Sequence, residues 1–166
     1  MSISPSAPLL SIIIPTRNRT STAISSIQSI LSVSDERLEL VIHDNSDSRD
    51  LQIFVNENIN DSRLCYHHMA EPLSVIGNFN AAMELATGEY VCMIGDDDGV
   101  NPEILEATAW AKNQNIDSLG FRSTAHYLWP GTELSSTLFT KVEGGNLSVA
   151  PFKGKIFHID LEKELK

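Results

Sequence analysis

Apolar and polar residues fall in alternating blocks along this chain. "LLSIII" (residues 9–14) is an almost unbroken aliphatic run, the pattern of a strand covered on both faces, and Pro15 is expected to stop it. Residues 20–31 carry Ile24, Ile27 and Leu31 at helical spacing, which predicts a helix with one apolar face. "LELVIH" (38–43) predicts a second strand, "LQIFVNENI" (51–59) a short helix and "RLCYHH" (63–68) a third strand. "VIGNFNAAMELAT" (75–87) reads as a helix closed by Gly88 in a left-handed cap, and "EYVCMI" (89–94) as a fourth strand. Asn101 is placed to cap a helix that begins at Pro102, turns Ile104, Leu105, Thr108 and Ala109 inward and ends near Asn113. "IDSLGF" (116–121) predicts a fifth strand. Strands alternating with helices of this length imply an α/β fold, a mostly parallel sheet with helices on both faces.

The length of 166 residues allows one compact domain, and a composition that is 42% hydrophobic and 20% charged is that of an ordinary globular protein. Residues 1–8, "MSISPSAP", read as a disordered arm, 9–123 as the α/β unit, and 124–166, with two turn-rich hairpin patterns and a polar helical end, as a partial further region or tail. The formal net charge of −10 and the lack of any basic run interleaved with aromatics exclude nucleic acid as a partner. Cys65 and Cys92 sit in apolar runs without a CxxC spacing, the pattern of buried reduced thiols in a cytoplasmic protein. No apolar run is long enough to span a bilayer.

In open parallel sheets, ligands bind at the carboxyl ends of the strands. Three polar loops fall there: "PTRNR" after the first strand, "DNSDSRD" after the second and "GDDDG" after the fourth. The adjacent carboxylates Asp96, Asp97 and Asp98 repel one another unless a positive charge sits among them, so a missing cation is expected. If the segment is extended, Asp96 and Asp98 point to one side and Asp97 to the other. Asp44, followed by Asn45 and Ser46, also fits an Asx turn. A calcium loop over Asp44, Ser46, Ser48 and Asp50 would need glycine where Arg49 stands. Arg17 and Arg19 read either as cations facing a diphosphate or as ordinary surface charges. His67 and His68 point to opposite faces of a strand, a poor metal pair.

The ordered set "LLSIIIPTRNR", "ELVIHDNSDSRD" and "NFNAAMELATGEYVCMIGDDD" resembles the nucleotide-sugar-binding half of the family 2 glycosyltransferases, over roughly residues 9–121. The resemblance implies a GT-A, Rossmann-like α/β/α sandwich and a metal-dependent transfer of sugar from a nucleoside-diphosphate sugar to an acceptor hydroxyl, with inversion, in polysaccharide biosynthesis. It implies that Pro15, Thr16 and Arg17 lie along the base and ribose and that Asp44 accepts from a base, with a tilt to uridine. Asp96, Asp97 and Asp98 match the DxD motif that holds ribose and a Mg²⁺ or Mn²⁺ on the diphosphate. The family's commonest version has Asp where Gly95 stands, a register that puts Asp97 on the metal.

Departures from the family pattern accompany these matches. Where many members carry "ARN", this chain has "NFN": Asn80 agrees, but Phe79 replaces the arginine. No "ED" pair follows Asp98, and Glu133, Glu143 and Asp160 are undistinguished as bases. The resemblance therefore implies the donor-binding part of a longer enzyme, cytoplasmic or peripheral to the membrane, with a glycan acceptor and no assigned catalytic residue. Two rivals remain: a sugar-phosphate nucleotidyltransferase, although "PTRNRT" lacks the glycines of a triphosphate loop, and a catalytically silent binding module of the same fold.

Overall fold

The computed structural model describes residues 7–120, together with the backbone of residues 133–136 and 139–143. The element order is β1 (Leu10–Thr16), α1 (Thr20–Leu31), β2 (Leu38–Asp44), α2 (Asp50–Asn58), β3 (Leu64–His68), α3 (Val75–Leu85), β4 (Tyr90–Met93) and α4 (Glu103–Asn113). An antiparallel pair of strands, β5 (Glu133–Ser136) and β6 (Phe139–Glu143), falls in the region read as hairpins. The remaining expectations for that region, including Asp160, lie outside the described residues, as does residue 121.

Strands β1–β4 form one parallel sheet in the order β3-β2-β1-β4. The chain steps from β1 outward to β3, then returns across β2 and β1 to place β4 on the other side, so the strand order reverses between β1 and β4. All seven residues of β1 are buried, as its aliphatic run requires for a central strand.

The two faces of the sheet are covered unequally. Leu10, Ile12 and Ile14 of β1, Leu38, Leu40 and Ile42 of β2, and Leu64 and Tyr66 of β3 point to one side. There they pack with Ala23, Ile27 and Ile30 of α1, Leu51 and Val55 of α2, and Leu105 of α4. The opposite face carries α3. That helix lays Asn78 and Ala82 against the sheet and turns Val75, Ile76, Phe79 and Met83 to solvent.

Several sequence expectations change. The first strand continues through Pro15 to Thr16. Odd-numbered residues of β1 direct their backbone groups toward β4, as the bond from Ile94 N to the Ile13 carbonyl shows. Pairing with β4 ends at Ile13–Met93, so the N–H that proline lacks at Pro15 would have met no strand. Pro8, assigned to the arm, accepts from Glu89 N.

Gly88 is not a left-handed cap, since α3 ends at Leu85 with Ala86 extended. A Cβ on Gly88 would lie 2.6 Å from the backbone nitrogen of Ser11. Glycine is needed there for close approach of the chain to β1. The contact is fastened by Gly88 N donating to Ser11 Oγ, and by Thr87 N and Oγ1 donating to Glu39.

Residues 116–120 are irregular, not a fifth strand. Ile116 N closes α4 on the Ala111 carbonyl after Asn115 takes a left-handed φ of 53°. Helix α4 starts at Glu103, one residue after Pro102, with Asn101 Oδ1 accepting from Glu103 N; of the residues expected inward, Leu105 and Thr108 are buried but Ile104 and Ala109 are half-buried, and Ala107 and Ala111 complete the buried face.

No helix among the described residues is long and apolar enough to cross a membrane. We expect Gly88→Ala to lower unfolding stability by about 1–3 kcal/mol, because the obstructing atom belongs to a central strand that cannot move aside. A urea midpoint equal to that of the unsubstituted protein would show that the contact relaxes freely.

Candidate functional site

Thr16, the last residue of β1, is the meeting point of three polar segments. Its Oγ1 donates to Asp96 Oδ2 at 2.7 Å. Its carbonyl accepts from Asn45 N at 3.0 Å and from Asn78 Nδ2 at 3.1 Å. The loops after β1, β2 and β4 therefore share one rim, the rim at which the strand order reverses, where parallel sheets bind ligands.

Asp44 is level with Thr16 in the β1–β2 ladder and is fully buried. Its Oδ1 accepts from Ser46 N at 2.9 Å, the Asx turn anticipated from sequence, and its Oδ2 accepts from Tyr66 Oη at 2.6 Å. Burial, then the hydrogen bond to Asp44, push the Tyr66 phenol well above its ordinary pKa, so it remains a donor. Asn45 continues the wall: its Nδ2 donates to the carbonyls of Met69 and Glu71, and its Oδ1 accepts from Leu73 N. These bonds strap residues 69–73 across the end of β2.

Residues 17–19 are tied to the second loop. Asn18 adopts a left-handed φ of 57°, a conformation that asparagine tolerates. Its N donates to Ser46 Oγ, and its side chain exchanges hydrogen bonds with Asp47. Arg17 Nη2 donates to Asp47 Oδ1 at 2.9 Å. The Asn18 amide, and then Arg17, hold Asp47 below the usual carboxylate pKa. Of Pro15, Thr16 and Arg17, only Arg17 faces solvent.

The acidic triplet is not extended. Asp98 N donates to the Gly95 carbonyl at 3.2 Å, closing a turn, and Asp98 Oδ2 accepts from Gly95 N at 3.1 Å. The alternation expected of an extended segment is therefore replaced by another division: Asp96 turns inward and is buried, while Asp97 and Asp98 are exposed. Ser26 Oγ of α1 donates to the Asp96 carbonyl at 3.0 Å.

The positive charge the triplet calls for is present in the protein. Arg19, at the amino end of α1, sets Nε 3.2 Å from Asp96 Oδ1 and Nη2 2.7 Å from Asp97 Oδ2. The hydrogen bond to Asp97 and the charge of Asp96 raise the guanidinium pKa above its ordinary value. The positive end of the helix dipole adds to the same field.

Gly95 has no room for a side chain, because the carboxylates of Asp97 and Asp98 fold back over it. A Cβ there would stand 2.9 Å from Asp97 Oδ1 and 3.0 Å from Asp98 Oδ2. Two exposed carboxylates, those of Asp97 and Asp98, fit part of the shell of a hard divalent ion. Among the described residues no group of three or more His, Cys, Asp or Glu is arranged to hold one by itself, so the remaining ligands would have to come from a phosphate and water.

Asn80 is not brought to this rim. It is exposed, whereas Asn78, about 200° around the helix, is the asparagine that reaches the site. Asn78 Nδ2 donates to Thr16, so its Oδ1 must be the acceptor for the Nδ1–H of the buried His43, 2.5 Å away. His67 stacks on the His43 ring with centroids 5.2 Å apart, while His68 Nε2 lies 3.2 Å from the Ser46 carbonyl. The pairing of His43 with Asn78, and that of Tyr66 with Asp44, left no sequence signal beyond polar residues at inward-facing positions.

A concavity of about 470 Å³ lies elsewhere, at the amino end of the sheet, where Leu10, Tyr90, Cys92, Ile104 and Thr108 line the outer edge of β4.

The sequence profile described as Glycosyl transferase family 2 matches residues 11–137. The chain belongs to this family. Within glycosyl transferase family 2, it is 36% identical over 111 residues to WcaA of Escherichia coli (strain K12), a protein named for colanic acid biosynthesis and glycosyl transfer. That match takes in 66% of this chain and 39% of WcaA, so the chain spans about two fifths of its curated relative.

Solved structures agree on the fold. S. aureus TarS 1–349 in complex with UDP superposes with a TM-score of 0.51 at 24% identity, over 75% of this chain and 40% of that one. The mannosyltransferase PcManGT from Pyrobaculum calidifontis, solved with GDP-Man and Mn²⁺, gives 0.53 at 23% identity, over 64% and 33%. At these identities the likeness establishes the fold alone: it is GT-A, an α/β sheet with helices on both faces.

Removing the Tyr66 hydroxyl while keeping its ring tests the Asp44 wall. Tyr66→Phe leaves a buried carboxylate oxygen without its donor and is expected to cost about 1–3 kcal/mol in urea unfolding.

Proposed function

We propose that the carboxyl rim of β1, β2 and β4 binds the nucleoside-diphosphate portion of a sugar donor, as part of a glycosyltransferase that passes the sugar to an acceptor hydroxyl with inversion. The observation that carries this reading is the bond between Thr16 Oγ1 and Asp96 Oδ2. It brings the ends of β1 and β4 together where the strand order reverses and leaves Asp97 and Asp98 facing outward beside Arg19. The UDP bound to TarS, and the GDP-Man and Mn²⁺ bound to PcManGT, support the same ligand class on this fold.

In this reading each group has a separable task. Asp96 is structural, fixing the turn to Thr16, Ser26 and Arg19. Asp97 and Asp98 supply oxygens to a Mg²⁺ or Mn²⁺, which when bound supplies Lewis-acid stabilisation of the charge on the departing diphosphate. Asp44, with spare lone pairs on both oxygens, accepts from the imide N–H of a uracil once the strap over residues 69–73 yields. Arg17 faces the ribose and diphosphate side. The acceptor in this reading is a glycan hydroxyl, in the synthesis of a surface glycan. The two free thiols, Cys65 and Cys92, suit a reducing, cytoplasmic setting.

Titration calorimetry with UDP, GDP and ADP, each with and without Mn²⁺, tests this proposal. UDP binding that requires Mn²⁺ and is weakened at least tenfold by Asp98→Asn is the expected result. Metal-independent binding, or none, would favour a silent module of the same fold.

A further inference from the structure

Arg19 is bonded to both members of an acidic pair that differ in accessibility. The Asp96 side chain is 9% exposed and already held by Thr16, whereas that of Asp97 is 50% exposed. The guanidinium itself is 48% exposed. Its backbone is the first-turn anchor of α1, with the Arg19 carbonyl accepting from Ala23 N. The side chain therefore springs from a fixed point and ends in a planar fork with two separate tasks: Nε on the buried acid and Nη2 on the exposed one.

A cation held on an exposed carboxylate competes with any other cation for the same oxygens. Resting on the donor-site reading above, we infer that Arg19 acts as a resident counter-cation that occupies Asp97 until a nucleoside diphosphate arrives, so that divalent-ion binding is coupled to nucleotide binding. With no diphosphate present, the Arg19–Asp97 bond neutralises part of the triplet and lowers its attraction for a free divalent ion. When a diphosphate enters, its negative charge offers the guanidinium a second partner, and Nη2 leaves Asp97 while Nε stays on Asp96. Asp97 is then released to the incoming ion. Arg19 is thus a positioning residue: it acts through Asp97, and its effect is a coupling between two ligands that is necessarily reciprocal.

The geometry favours Arg19 over the other nearby cation. Arg17 directs Nη2 to Asp47 and Nη1 toward the Leu73 carbonyl and Asn45, away from the triplet. Among the described residues, Arg19 is the basic side chain bonded to Asp96 or Asp97.

The test reads metal binding, not turnover. Free Mn²⁺ is followed by electron paramagnetic resonance while the protein is titrated, first without nucleotide and then with saturating UDP, for the unsubstituted chain, Arg19→Gln and Arg19→Lys. Arg19→Gln is expected to bind Mn²⁺ about two- to five-fold more tightly without UDP, the range of an exposed ion pair, and to gain less affinity when UDP is added. Arg19→Lys, which keeps the charge but loses the fork, is expected to fall between the two. UDP-linked Mn²⁺ binding that is the same in all three proteins overturns the role of Arg19 and leaves the donor site standing. Mn²⁺ binding that weakens in Arg19→Gln without UDP likewise overturns it. Absence of UDP-linked Mn²⁺ binding in the unsubstituted chain overturns both the inference and the donor-site reading.

Discussion

Thr16 ends the central strand with its hydroxyl and its carbonyl both engaged: the hydroxyl donates to Asp96 and the carbonyl accepts from Asn45 and Asn78. Each partner belongs to a different segment, so one residue sets the relative positions of the second loop, α3 and the acidic turn. That arrangement rests on the ladder register that places Thr16 opposite Asp44. A slip of one residue would turn Thr16 away from Asp96 and drive the aliphatic side chains of β1 onto the wrong face. The burial of β1 on both sides is therefore what holds the polar rim in place.

Around that hub the carboxylates divide by environment. Asp44 and Asp96 are buried and bonded to donors from the protein. Asp97 and Asp98 lie on the outer side of a tight turn and retain contact with water. Four acidic residues on one rim thus fall into two pairs, and sequence position alone does not separate them. The separation comes from the turn closed between Asp98 and Gly95, which a strand-like reading of "GDDDG" cannot contain.

The parallel sheet, the sites of the first four strands and the spans of α1, α2 and α4 were legible because each rests on a local pattern: aliphatic runs, helical spacing or a cap. The location of the rim was legible for the same reason, since it follows from strand direction. What failed depended on contacts between distant segments. Pro15 looked like a stop because its neighbour across the ladder was unknown. Gly88 looked like a cap because its closeness to Ser11 crosses from one end of the sheet pattern to another. Asn80 was named because it matches the family's "ARN" triplet, whereas Asn78 had no motif behind it, and the apolar residues Val75, Ile76, Phe79 and Met83 of α3 face outward, opposite to the usual rule. Arg19 was visible as a charge, but its partners are fixed only by the fold.

The order in which the ladders can form has its own consequence during synthesis. β1 meets β2 after one intervening helix, yet its other side waits for Tyr90–Met93, after two further helices and a strand have been made. As the polypeptide leaves the ribosome, the most aliphatic strand thus passes through a stage with one backbone edge bare. Such an edge is a template for pairing with a second nascent copy, and the late arrival of β4 seals it.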